Sequence, residues 1–177
     1  LAVGAGARDY PVKPVPFTAV HFEDAFWAPK IETNRAVTVP FALKQCEDSK
    51  RVYHLVRGAA VLKGQPLEDK KPPGYPFDDT DLYKVIEGAA YTLSVRPDPK
   101  LEAYLDELIA KIAAAQEPDG YIDAFFTLGG LENRWTNEKD MHETYVAGHL
   151  IEAAVAHFQA TGKRTLLDVA VRAADHI

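Results

Sequence analysis

The segment IEGAAYTL, beginning at Ile86, is answered by IEAAVAHF at Ile151, and the two stay in step when the chain is shifted by 65 residues. Leu101 then falls on Leu166, each after a short connection punctuated by proline or glycine. A helix pair of this kind cannot bury its apolar faces alone, so repeated pairs stack into an α/α array, either an open solenoid or a closed toroid. The members of a pair also differ. Val146, Ala147, Leu150, Ile151, Ala154, Val155 and Phe158 leave little polar face, which predicts a helix buried on nearly all sides. Lys100 to Gln116 instead carries Glu102, Asp106, Glu107 and Lys111 on one side. Inner helices alternating with outer ones predict an all-α fold, the N-terminal portion of an (α/α)6 barrel built from repeated helix hairpins.

Punctuation sets the boundaries. Residues 1–21, with DYPVKPVPF at their centre, form an extended lead-in, because each proline fixes its own φ and biases its predecessor away from helix. Residues 22–177 form an incomplete α/α-barrel domain. Within it, periodicity predicts helices from Pro29 to Gln45, Lys50 to Lys63, Thr80 to Val95, Pro99 to Gln116, Asp140 to Gly162, and Arg164 onward. Asp79 or Thr80 can cap the third. Asp98 followed by Pro99 marks the start of the fourth, and Gly162 is a natural stop for the fifth. KGQPLEDKKPPGYPFDD and TLGGLENRWTNEKD read as long loops, and EPDGYIDAFF as a turn with a short strand.

The 177 residues, 47% hydrophobic and 26% charged, suffice for one globular core. With 20 basic against 26 acidic residues the net charge is −6, and no lysine or arginine cluster alternates with aromatics, so nucleic acid is not expected as a partner. No apolar run reaches the roughly 18 residues of a membrane span. The lone Cys46 cannot form an internal disulfide. LAVGAGA, ending Ala5, Gly6, Ala7, resembles a signal peptide with its A-x-A cleavage site, from which export to periplasm or medium is expected.

His142, His149 and His157 lie on one side of the predicted fifth helix, but they climb it over about 22 Å, too far for one metal ion. HETYVAGH is also not H-E-x-x-H, because position 146 is valine. His142, in the first turn after a long loop, can exchange hydrogen bonds with a sugar hydroxyl. His149 and His157 are expected deeper, packed within the helix layer. Glu87 and Glu152 occupy equivalent repeat positions among apolar neighbours. Desolvation there would raise their pKa values, but bonds to a neighbouring loop or helix end are the expected reason for them. Asp119 and Asp123 are turn residues.

FDDTDLYKVIEGAAYTL, QEPDGYIDA and HETYVAGHLIEAAVAHFQATG, in this order and spacing, resemble the N-terminal part of the bacterial β-L-arabinofuranosidases of glycoside hydrolase family 127 and its sister family 146. The resemblance runs from about Phe22 to the last residue. It implies an (α/α)6 barrel followed by β-sandwich domains, and removal of terminal β-L-arabinofuranose from glycans with retention. It implies sugar contacts at His142 and Gln45, with Phe77 and Asp79 as weaker candidates for the pocket wall. It also implies a zinc-held cysteine nucleophile and a glutamate acid/base, none of which matches a position in these 177 residues. Cys46 is read as a buried structural thiol, no catalytic residue is assigned, and zinc is expected in the full-length enzyme only. The competing reading is a non-catalytic helical-repeat module whose long loops form a protein-binding rim. The apolar stripe of LLDVAVRAADHI favours the incomplete enzyme domain, since a repeat protein closes with a polar cap.

Overall fold

A computed structural model describes residues 12–67, 69 and 71–177. The signal-like stretch at 1–7 lies outside them. Among the described residues there are helices and turns but no strand. A 3-10 turn, Phe17–Ala19, interrupts the lead-in. Helix α1 (Trp27–Thr33) passes through a π turn, Asn34–Thr38, into α2 (Val39–Asp48). Pro40 explains the irregularity, because it has no N–H for the carbonyl four residues back, so the preceding turn widens.

After α2, Lys50 adopts a left-handed conformation (φ 67°) and opens α3 (Arg51–Leu62). Then come α4 (Asp79–Val95) and α5 (Pro99–Ala114), a hairpin closed by 96–98. Asp98 caps α5 as its sequence predicts, accepting the N–H groups of Lys100 and Leu101 at 3.1 Å each. The cap of α4 differs from expectation. Its N-cap is Asp78, which makes no side-chain cap bond, and the carboxylate of Asp79 is used elsewhere.

The predicted strand in EPDGYIDAFF is instead α6 (Ala124–Gly129), initiated by Asp123, which accepts the Phe125 N–H at 2.9 Å. The run Tyr121 to Phe126 has strand-like composition, but an N-cap aspartate before an apolar run outweighs it. Gly120 makes the preceding turn at φ +99°, and a Cβ there would lie 2.3 Å from the Arg172 carbonyl oxygen. The second predicted loop contains a 3-10 turn, Leu131–Asn133, and α7 (Glu138–Met141). The second hairpin is α8 (Glu143–Thr161) and α9 (Thr165–His176), with Gly162 as the left-handed stop at φ 76°.

The two copies of the repeat pack on each other. The largest helix contact is α4 against α8, and α5 and α9 lie against one another and against their own hairpin partners. Ala89 and Ala90 of α4 and Ala153 and Ala154 of α8 are all fully buried. Leu82, Tyr83, Ile86, Val146 and Leu150 extend this core, and Leu105, Leu108, Ile109, Ile112, Leu166 and Val169 join it from α5 and α9. Helix α8 is not buried on all sides as its composition suggests. Val155 and Phe158 are exposed, so one face stays open.

No helix among the described residues is long and apolar enough to cross a membrane.

Candidate functional site

The open face belongs jointly to α4 and α8. Lys84 Nζ of α4 reaches across to the Tyr145 hydroxyl of α8 at 2.6 Å and sits 4.8 Å from the centre of that ring. Tyr145 meets His149 edge to face at 4.5 Å, and His149 Nδ1 lies 2.9 Å from Glu152 Oε2. Gly88 and Gly148 add nothing to fill the surface, since a Cβ on either would meet no atom within 4 Å. His149 therefore does not lie deep in the helix layer, whereas His157 does: it is fully buried, and neither ring nitrogen has a partner among the described residues.

Glu87 and Glu152 likewise lie toward this face rather than among apolar neighbours. Glu87 accepts from the Tyr91 hydroxyl at 2.7 Å, and the Glu152 side chain is 61% exposed.

The ends of several helices converge where α4 begins. Arg51, just past the α2–α3 turn, pairs with Asp78 and Asp81 at 3.0 Å each, and Tyr104 of α5 donates to Glu47 of α2 at 2.9 Å. Arg57 holds the 63–78 loop by donating to the carbonyls of Asp69 and Lys71. This framework carries Phe77, half-buried, with Tyr75 stacked on it at 5.4 Å. The same framework leaves Gln45 exposed on the last turns of α2, its side chain making no hydrogen bond among the described residues.

His142 is where the resemblance puts a sugar contact, and its geometry is not that of a helix's first turn. It is the joint between α7 and α8, in the left-handed region at φ 60°, ψ 30°. For a residue with a Cβ that conformation costs on the order of 1–2 kcal/mol, so the surroundings must enforce it. Its imidazole is half-buried, edge-on to Phe77 at 5.4 Å and to Tyr145 at 6.1 Å. The structure thus brings Phe77 and His142 into contact.

Asp79 is only 2% exposed and lies beneath this surface. Its Oδ2 accepts the Ala124 N–H at 2.8 Å, while its Oδ1 has no partner among the described residues. Asp123 Oδ2 and the Tyr83 hydroxyl are also buried without partners. Burial pushes the Asp79 carboxyl up to about 6, with the charge of Asp78 adding to it and the Ala124 N–H opposing. Burial and then the charge of Asp79 push Asp123 well above the usual carboxylate range. Burial raises the Tyr83 phenol too.

This buried layer escaped sequence reasoning, which treated Asp123 as a turn residue. The Asp-Ala-Phe-Phe order was the available signal. Two further buried acids, Glu117 and Glu143, went unremarked. Burial raises Glu117, which accepts from the Thr127 hydroxyl at 3.0 Å.

A zinc site does not fit the described residues. No three His, Cys, Asp or Glu side chains converge among them, and burial pushes the Cys46 thiol up to about 11, away from the thiolate that binds metal.

Relatives agree with this fold. A solved GH127 β-arabinofuranosidase superposes with a TM-score of 0.84 at 44% identity, over 94% of this chain and 27% of that one. A second, a GH127 β-L-arabinofuranosidase from Geobacillus stearothermophilus T6, gives 0.78 at 37% identity, over 88% and 25%. A non-reducing end β-L-arabinofuranosidase of Bifidobacterium longum subsp. longum is 42% identical over 135 residues, 74% of this chain and 20% of its own length. The chain thus spans only about a fifth to a quarter of the length of these relatives. The model of the β-L-arabinofuranosidase GH127 catalytic domain matches residues 19–177, and the chain belongs to that family.

Proposed function

We propose that the full-length protein is a retaining glycosidase that removes terminal β-L-arabinofuranose, or a closely similar sugar, from glycans. This chain supplies part of the sugar pocket and no nucleophile. The observation that carries the reading is the half-open imidazole of His142, held at a left-handed joint against Phe77 beside the open α4–α8 face. A neutral imidazole can donate one hydrogen bond and accept another, which suits a sugar hydroxyl. Gln45 is an exposed amide offering both roles at the same end of the fold. Phe77, with Tyr75 stacked on it, supplies apolar wall. Asp79 supports that wall from below rather than reaching into the pocket.

The zinc that the resemblance implies would have to be held by residues other than these. Family membership weighs against the reading of the chain as a binding module. The test is His142→Ala in the full-length enzyme. Losing one partner of a buried hydroxyl contact costs roughly 1–3 kcal/mol. At about 1.4 kcal/mol per decade, kcat/KM should fall about 10-fold to 100-fold with little change in Tm. An intact kcat/KM with a lowered Tm would show that His142 is only a helix joint.

A further inference from the structure

His142 can face a sugar only while its backbone stays left-handed, and the neighbouring residue is built to keep it there. Glu143 is 2% exposed and both of its carboxylate oxygens are engaged. Oε1 accepts from the Tyr121 hydroxyl at 2.6 Å, and Oε2 accepts the backbone N–H of Trp135 at 2.7 Å. Trp135 is itself left-handed, at φ 63°. Its ring stacks on His176 at 5.9 Å, with Nε1 donating to His176 Nε2 at 3.1 Å. One buried side chain therefore ties the start of α8 to the segment before α6, to the loop before α7 and, through Trp135, to the end of α9.

The other flank of the joint is fixed as well. The Thr144 N–H goes to Glu138 Oε1 at 2.8 Å, and the Thr144 hydroxyl donates to the same oxygen. The anchors on residues 143 and 144 oppose relaxation of residue 142 into the right-handed region. Its ring is delivered to Phe77 and Tyr145.

We infer that Glu143 is the positioning residue of His142: it fixes the left-handed joint that aims the imidazole into the sugar pocket, without itself touching sugar. The inference rests on the reading of His142 given above. It differs from an ordinary buried-anchor role in one respect, that the loss caused by removing Glu143 must pass through the imidazole.

The experiment is a double-mutant cycle in the full-length enzyme with p-nitrophenyl β-L-arabinofuranoside, together with the imidazole NMR signals of His142. Glu143→Ala should lower kcat/KM about tenfold and shift or broaden those signals. Glu143→Gln should restore most of the activity, because its amide oxygen can still accept from Trp135 while its N–H donates to the Tyr121 oxygen. In a His142→Ala background, Glu143→Ala should cost nothing more. Should Glu143→Ala fail to fold, Tyr121→Phe removes one of the two anchors and should show a smaller loss that also vanishes in that background. Equal losses in both backgrounds, or unmoved His142 signals in the anchor variant, would overturn the inference. A His142→Ala enzyme of full activity would refute the sugar contact instead, and the ring signals would still decide whether Glu143 positions the imidazole.

Discussion

Replacing Asp79 by asparagine should make this protein more stable at neutral pH, although it removes a fully buried charge with a defined partner. The Asp79 carboxyl gives one oxygen to the Ala124 N–H at 2.8 Å and leaves the other unpaired, close to the equally buried Asp123 and Tyr83. Burial lifts it from 3.8 to about 6. A group whose folded pKa lies above its unfolded value binds more protons in the folded state. Its favourable contribution is therefore complete at low pH and is lost as pH rises from about 4 through about 6. A rise of about two units is worth about 3 kcal/mol at 1.36 kcal/mol per unit, and Asp123 titrates with it as a pair and takes part of that sum. Asparagine keeps the acceptor for Ala124 and offers an N–H to the unpaired oxygens. The variant should gain about 1–3 kcal/mol over the parent at pH 7.5 and little at pH 4, with Tm moving about 2–4 °C per kcal/mol at this size. Thermal melts of both proteins across that range test it. A variant less stable than the parent at pH 7.5, with the same deficit at pH 4, would refute the argument, since the charge would then be supported rather than stranded.

His157 has the opposite sign. Burial pushes its pKa down, so the unfolded state binds more protons below about 6.5 and stability falls as pH drops. His157→Leu should thus raise Tm at pH 5 relative to the parent, and by more than at pH 8. Gly120→Ala should lower stability by roughly 1–3 kcal/mol, because it adds a Cβ 2.3 Å from the Arg172 carbonyl oxygen at φ +99°. Gly148→Ala, with open space around its Cβ and a helical backbone, should raise it by about 0.5–1 kcal/mol, both read from urea titrations.

What the sequence made legible was local. The repeat at Ile86 and Ile151, the Asp98 cap and the Gly162 stop each depend on a few neighbouring residues, and all three are present as read. The strand expected after Tyr121 failed because isoleucine, tyrosine and phenylalanine favour strands only where a neighbouring strand awaits them. Here Asp123 and the docking of Ala124 on Asp79 start a helix instead. The left-handed joint at His142 was not legible, because nothing in MHET asks for it; Tyr121, Trp135 and Glu138 impose it from elsewhere in the chain. The buried acids escaped for the same reason, since only long-range packing tells a desolvated aspartate from a turn aspartate.

The packing of α4 on α8 acts as a gauge for the surface above it. Lys84 and Tyr145 belong to different helices, and their 2.6 Å bridge depends on how closely α4 packs on α8. Ala153 is fully buried, so enlarging it to valine would add two methyl groups to the core, and close-packed helices respond to overfilling by moving apart. The bridge would open, and the face shared by Tyr145, His149 and Gly88 would widen with none of its own residues changed. The span of that face is therefore set from underneath, through residues fully buried from solvent.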